Sequence, residues 1–262
     1  MNRSPYLKEP NLKDYNFEQC SQLSTTEQLK LARTYQEIVC ELNMVGAYPG
    51  AKITEEKKQA TFDNIMPIIE ENPDLKYMYY YDKSRNYSST IARECIRSGC
   101  TNIIKQIILD DKAVTSIDHM GRNIGMISAL EGNEEITLLI LDNEAARRQQ
   151  SNNGHNIGMI SAKNKLIQAT LKSLDDDIAS AQQSADGETI GMICARVIAG
   201  DRNMIPVFEK AASNHKTILI QDNQGRNIID IARASSYAGA TLANKFERTL
   251  LEAQLLQPEL DK

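Results

Sequence analysis

The 262-residue chain is 41% hydrophobic and 25% charged with a formal net charge of −5, which disfavours disorder and, being acidic, argues against a general nucleic-acid binder or a partner of acidic membranes. No apolar run approaches the ~18 to 20 residues that span a bilayer. Residues 1–20 carry Lys, Glu and Asp without the apolar stretch of a signal peptide, so a cytoplasmic protein with no membrane contact is expected.

Residues 1–23 hold Pro5 and Pro10, mixed charges and little periodicity, and predict a mobile or loosely docked arm. Ser24-Thr-Thr-Glu27 then reads as a capping box. Behind it Leu31, Tyr35, Ile38, Val39 and Leu42 line one face of a helix of about five turns, ending near Asn43 with Gly46, Pro49 and Gly50 as breakers. A second helix starts at Thr54, with Glu55 and Glu56 suited to the positive end of its dipole. Phe62, Ile65, Met66 and Ile69 form its stripe, Pro67 predicts a kink or restart, and Asn72-Pro73 ends it. The two helices make residues 24–80 a candidate N-terminal helical cap for a repeat array on their C-terminal side.

Five of the ten tyrosines crowd into a single short stretch: Tyr77, Tyr79, Tyr80, Tyr81 and Tyr87. Such a cluster packs indoors with its hydroxyls at the rim, or it anchors a partner through rings such as Tyr79 and Tyr81.

The next stretch repeats. N-I-G-M-I-S-A starts at Asn123 and recurs letter for letter at Asn156, and T-I-G-M-I-C-A starts at Thr189, a period of 33 at both steps (156 minus 123, 189 minus 156). Gly121, Gly154 and Gly187 each stand two positions before a copy. Looser copies start at Asn227, a step of 38 from Thr189, and at Asn86, a step of 37 before Asn123. Five units are therefore expected between about residues 82 and 245.

The period and the run Asp118-His-Met-Gly121-Arg-Asn123-Ile-Gly-Met-Ile-Ser-Ala129-Leu-Glu-Gly132 resemble the ankyrin repeat. Asn123, Asn156, Thr189 and Asn227 fall at that family's Thr position. The chain departs from the pattern with Gly125, Gly158 and Gly191 in place of Leu, and Met126, Met159 and Met192 in place of His. The resemblance implies an all-α, ankyrin-type helical repeat solenoid over residues 81–245, with 246–262 as a C-terminal helix and tail.

Within each unit, apolar residues at helical spacing predict a second helix that glues neighbours together: Ile103, Ile104, Ile107 and Ile108, then Ile136, Leu139 and Ile140, then Ile167, Leu171 and Leu174, then Met204, Val207, Phe208 and Ala211. Small residues at Ala92, Ala129, Ala162, Ala195 and Ala232 suit close approach of the first helices. Gly99, Gly132 and Gly200 read as turn glycines between the two helices. A glycine inside a helix costs about 1 kcal/mol against Ala, so Gly125, Gly158 and Gly191 imply tight packing of first helices. The alternative, a phosphate-binding loop, lacks both a preceding strand and a Lys-Ser/Thr pair.

No metal or cofactor site is expected. The histidines, His119, His155 and His215, are too few and scattered for zinc, and His119 and His155 fall in predicted exposed turns. Cys20, Cys40, Cys95, Cys100 and Cys194 are an odd number without a C-x-x-C pair, hence reduced thiols. Cys194 replaces the Ser of its sister repeats as a small core residue; a Cys-His nucleophile using Cys194 or Cys100 has no local motif behind it, and no catalytic residue is assigned.

Ankyrin-like arrays bind protein partners through turn tips and the first-helix face, and the resemblance implies the same here. The positions that vary while the scaffold repeats are the candidate partner-binding set: His119, Met120 and Arg122; Asn152, Asn153 and His155; Ala185, Asp186 and Glu188; Asn223, Gln224 and Arg226. Glu131, Lys163, Asn164, Arg196 and Val197 would line the floor, and Tyr79 and Tyr81 extend the set. The expected protein is a non-catalytic, monomeric interaction module; the alternative is an enzyme with a short catalytic N-terminus and the repeats as substrate reader. The Asn-, Lys-, Ile- and Gln-rich composition without Trp is similar to ankyrin proteins that intracellular bacteria such as Legionella inject into host cells, which would make the partner a host eukaryotic protein and the Leu-rich acidic tail from Glu252 an export signal.

Overall fold

The computed structural model describes residues 9–18, 20, 22–46, 53–83 and 87–260. Pro49, Gly50 and Asn86 lie outside them. The chain divides into two compact units, Met1–Glu131 and Gly132–Lys262. Fifteen α-helices dominate the described residues, consistent with the all-α expectation, beside one small three-stranded sheet that was not foreseen.

In the first unit, β1 (Tyr15–Asn16) precedes α1 (Thr25–Gly46) and α2 (Glu55–Glu71). The capping box forms as read: Ser24 N–H donates to Glu27 Oε2 at 2.7 Å and Glu27 N–H to Ser24 Oγ at 3.4 Å. α1 ends later than predicted because Val45 continues the buried stripe of Leu31, Tyr35, Ile38 and Leu42. α2 does not restart at Pro67; it runs through, on a face that buries Ile65, Met66 and Ile69. α1 and α2 pack on each other, and then against α3 (Ile91–Arg97) and α4 (Thr101–Ile107) respectively. A short α5 (Asp111–Thr115) comes next.

The tyrosine cluster builds the sheet. β2 (Tyr79–Asp82) pairs antiparallel with β3 (Tyr87–Thr90), and β1 pairs with β2 with Tyr15 opposite Tyr80. Part of the expected arm is thus docked. Side chains alternate across a strand, so Tyr80 meets Tyr15 (ring centroids 5.3 Å apart) while Tyr81 stacks on His119 (4.1 Å).

The hairpin also corrects the register of the earliest copy. Thr90, not Asn86, caps the first helix of that unit, its Oγ1 accepting from Arg93 N–H at 3.0 Å, as Asn123 caps α6 (Ile124–Leu130). From Thr90 to Asn123 the step is 33 (123 minus 90), the same as between the clear copies. Gly99 then falls in line with Gly132, and both have left-handed φ (+72° and +77°). Ala92 stands at the position of Gly125 rather than of Ala129.

The second unit contains α7 (Glu134–Ile140), α8 (Glu144–Arg148), α9 (Ile157–Lys163), α10 (Ile167–Ser173), α11 (Asp177–Ala181), α12 (Ile190–Val197), α13 (Ile205–Ala212), α14 (Ile228–Ser235) and α15 (Tyr237–Leu260). Helices of seven or eight residues are unstable alone, and three rows hold these together: α9, α12 and α14 side by side, α7, α10 and α13 behind them, α8 against α11. A third, five-residue helix in three of the modules (α5, α8 and α11) was not read from the sequence, although its N-caps Asp110, Asn143 and Asp176 keep the period of 33.

Two of the three helical glycines, Gly158 and Gly191, do sit at close approaches. A Cβ on Gly158 would lie 2.4 Å from Ile190 Cδ1 and 2.6 Å from Ser173 Cβ, and one on Gly191 would lie 2.8 Å from Ile228 Cδ1. Leu139, expected in the core, is 42% exposed, and Leu141 is buried instead. Gly200 does not have the left-handed φ expected of it; Lys165 does, at +62°. The insertion that lengthens the last period from 33 to 38 falls in the link between α12 and α13, where a 3-10 turn (Arg202–Met204) ends on the buried Met204. α15 closes the unit against α13 and α14, burying Ala243, Phe246 and Ala253.

Candidate interaction surface of the finger turns

Four turns of one shape precede first helices, at residues 118–122, 151–155, 184–188 and 222–226. In each, the first residue's N–H donates to the fifth residue's carbonyl (2.8 to 3.0 Å), and the glycine N–H in fourth place donates back to the first carbonyl (2.8 to 2.9 Å). The glycines Gly121, Gly154, Gly187 and Gly225 all have φ between +72° and +79°, a conformation that costs other residues about 1 to 2 kcal/mol. The sixth residue caps the helix: Asn123, Asn156 and Asn227 accept from the N–H three residues on at 2.9 to 3.0 Å, and Thr189 does so at 3.4 Å.

The first residue closes the loop from inside. Asp118 Oδ1 accepts from Met120 and Arg122 N–H, and Asp222 Oδ1 from Gln224 and Arg226 N–H, at 2.9 to 3.0 Å. Ser184 Oγ accepts from Asp186 and Glu188 N–H at 3.3 and 3.2 Å, and Ser151 Oγ from His155 N–H at 3.2 Å. These are Asx- and ST-turn bonds.

The same geometry sorts the expected binding residues. Arg122 makes two bonds to Asp118 Oδ2 (2.9 and 2.6 Å), and Arg226 two to Asp222 Oδ2 (2.9 and 2.7 Å). Burial raises the Asp222 pKa, but bonds from the Arg226 side chain and from the backbone of Arg226 and Gln224 outweigh it and hold the carboxyl below its usual range. Glu188 is buried and ion-paired with Arg196. His155 lies 2.7 Å from Lys163 Nζ. Neither His119 nor His155 is exposed as expected; both are half-buried. Burial first, then Lys163, lowers the His155 pKa, while burial, Arg122 and Arg93 lower that of His119 against the pull of Asp118.

Asn152, Asn153, Asp186, Asn223 and Gln224 do face solvent, and Ala185 with them. Of the floor, Lys163, Asn164 and Arg196 are exposed, Val197 is half-buried, and Glu131 is half-buried and bonded to Arg93 Nε at 3.0 Å. Met120, Tyr79 and Tyr81 are half-buried; Tyr79 Oη accepts from Asn16 at 2.9 Å.

In the second unit neighbouring turns are joined by polar bonds that sequence reasoning missed. Asn153 carbonyl accepts from Ala185 N–H at 2.9 Å, and Asp186 carbonyl from Asn223 N–H at 3.2 Å. Gln150 Nε2 donates to Gly154 and Gln183 carbonyls, and Gln183 Nε2 to Gly187 and Gln221 carbonyls, at 2.5 to 2.9 Å. Behind the turns, Glu134 accepts from the first N–H groups of α10 (Gln168, 2.7 Å; Ala169, 3.1 Å), and Lys172 and Lys210 donate to the carbonyls of Leu138 and Leu171 (3.0 and 2.9 Å). The recurrence of Gln at 150 and 183, one period apart, was the available signal.

Burial pushes the Cys194 thiol up to about 12 and Cys100 upward too, so neither supplies a thiolate near neutrality. Among the described residues no group of three or more His, Cys, Asp or Glu could hold a metal ion, and no helix is long and apolar enough to cross a membrane. Comparison with protein-family models finds none that matches the chain, and comparison with curated proteins finds no match either.

Proposed function

We propose that the protein is a non-catalytic, monomeric interaction module of ankyrin type, a helical repeat solenoid that grips a partner protein along its finger turns and the adjacent ends of its first helices. One observation carries the reading. The three turns of the second unit keep one backbone, one left-handed glycine and one capping bond while their second and third residues, all exposed, change: Asn-Asn, Ala-Asp and Asn-Gln. A fixed frame with variable, solvent-facing tips is how repeat proteins recognise partners. The contact set is Asn152, Asn153, Asp186, Asn223 and Gln224 with Lys163 and Arg196, supported from beneath by Glu188 and Arg226. By its likeness to injected bacterial ankyrin proteins, the partner is a host protein in a eukaryotic cytosol.

The test is affinity capture from a eukaryotic lysate with the wild-type chain beside a variant carrying Asn152→Ala, Asn153→Ala, Asp186→Ala and Asn223→Ala. The reading expects one partner enriched at stoichiometric level by the wild type and lost from the variant, with circular dichroism unchanged. Equal capture by both overturns it, as does enzymatic turnover by residues 1–80 with the repeats deleted.

A further inference from the structure

A second candidate site lies in the first unit, away from the finger turns. A cavity of about 740 Å3 opens beside α1, within the ~300 to 1,000 Å3 typical of small-molecule sites. Three tyrosines line it, Tyr15, Tyr35 and Tyr80, brought together by the β1–β2 pairing and packed at ring-centroid distances of 5.3 and 5.8 Å. Two of the rings are held in place from behind: Tyr35 Oη donates to Ser89 carbonyl at 2.8 Å, and Tyr15 bonds to the Gln36 side chain. Val39 and Met44 supply apolar wall, and their failure to join the α1 core is otherwise unexplained; Met44 is 62% exposed.

Among the described residues that line the cavity the charge has one sign: Glu9 and Asp14 are there, and no Lys or Arg. Glu9 is paired with Arg33 at 2.7 Å. Asp14 is half-buried and has no ion-pair partner among the described residues. Burial, and only secondarily the charges of Tyr80 and Asp14, push the Tyr15 phenol up to about 12 despite its bond to Gln36, the response of an acid withdrawn from water.

Aromatic faces next to an uncompensated carboxylate attract cations. We infer that this cavity binds a small organic cation, with an ammonium head directed to the Tyr80 ring, which the buried Tyr15 and Tyr35 hold from beneath, and to the Asp14 carboxylate, and an apolar body against Val39 and Met44. Charge sets the class: a neutral ligand of the same shape leaves the Asp14 carboxylate without a partner, and an anionic one opposes it.

Calorimetric titration of the full chain with 4-phenylbutylamine, 4-phenylbutanol and 4-phenylbutyrate tests this. The amine is expected to bind about tenfold tighter than the alcohol, and the carboxylate to give no heat. Asp14→Asn lowers amine affinity to that of the alcohol and leaves the alcohol unchanged. Val39→Lys, which places an ammonium of the protein's own in the cavity, abolishes amine binding with the circular dichroism unaltered. Equal affinity for amine and alcohol in the wild-type chain, no binding of any of the three, or an Asp14→Asn variant that binds the amine as tightly as before overturns the proposal. If Asp14→Asn fails to fold, the amine-to-alcohol ratio in the wild-type chain and the Val39→Lys titration decide it.

Discussion

The turns at Asp118 and Asp222 and those at Ser151 and Ser184 have the same backbone hydrogen bonds but spend their side chains differently. In the Asp turns the fifth residue is Arg, and its guanidinium folds back onto the first residue's carboxylate. In the Ser turns there is no carboxylate to fold back on. The fifth residue, His155 or Glu188, then reaches forward to the last turn of its own helix, to Lys163 or Arg196. The frame is therefore set by the glycine and the cap, which all four share. The first and fifth positions choose one of two ways to close, and in the second unit the second and third positions face solvent, with the Asn223 side chain also donating to the Ala185 carbonyl at 2.9 Å.

The largest effect is expected where the shared frame itself is disturbed. Gly158→Ala adds a methyl 2.4 Å from Ile190 Cδ1 and is expected to cost about 3 kcal/mol, overpacking exceeding the helix-propensity gain of about 1. Ala92→Gly, at the equivalent place in the first unit, should cost only about 1 kcal/mol. Urea midpoints of the two variants check this; equal losses would mean that the close approach at Gly158 costs nothing beyond helix propensity.

The difference between the two closures can be sharpened directly. Asp222→Ala removes a charged acceptor from two backbone N–H groups and orphans Arg226, and should cost about 2 kcal/mol, whereas Ser184→Ala should cost about 1. The Asp222 turn should be acid-sensitive through its own first-position carboxylate, which Ser184 lacks. The Asp222 carboxyl is held below its ordinary value in the fold, so the stability it adds is present above about pH 4 and lost as pH falls through the folded value. Denaturation from pH 7 to pH 2 should show the wild-type advantage over Asp222→Asn vanish at acid pH; a pH-independent gap would refute the assignment.

Two smaller effects arise where one copy departs from its sisters. Lys165 takes a left-handed φ where Gly99 and Gly132 stand in the other copies, so Lys165→Gly should stabilise by about 1 kcal/mol. Ser161 Oγ is buried without a hydrogen-bond partner, and Cys194 fills the same place in the next copy. Ser161→Ala should be neutral or stabilising by a few tenths of a kcal/mol, read as a melting shift of a degree or two at most; a loss above about 1 kcal/mol would mean the hydroxyl is satisfied.

Glycines before each copy, the period of 33 and the capping box at Ser24 could be read from the sequence because they are local signals: a left-handed turn or a cap needs particular residues at particular places. The tips Asn152, Asn153 and Asp186 were legible as variable positions in a fixed frame. What Arg122, Arg226 and Glu188 do was not legible, because a charged residue in a turn looks alike whether it faces outward or folds back on its neighbour. The first copy was misplaced by one helical turn because Asn86 resembles a cap in letters, while Thr90 is the one that the pairing of β2 with β3 leaves at the helix entrance. The sheet itself rests on Tyr15 meeting Tyr80, and no local pattern announces a contact between positions so far apart in the chain. Nor does composition show that Leu139 faces solvent and Leu141 the core, since that depends on which neighbour a short helix finds.

The central claim is that the turn tips choose the partner and the frame does not. It is tested by exchanging the tip Ala185-Asp186 for the Asn-Asn of the preceding turn, through Ala185→Asn and Asp186→Asn, and titrating the captured partner against both chains. The account expects a melting temperature within about 2 °C of wild type and affinity reduced at least about tenfold, as for loss of a central contact. Undiminished affinity in the exchanged chain would contradict it.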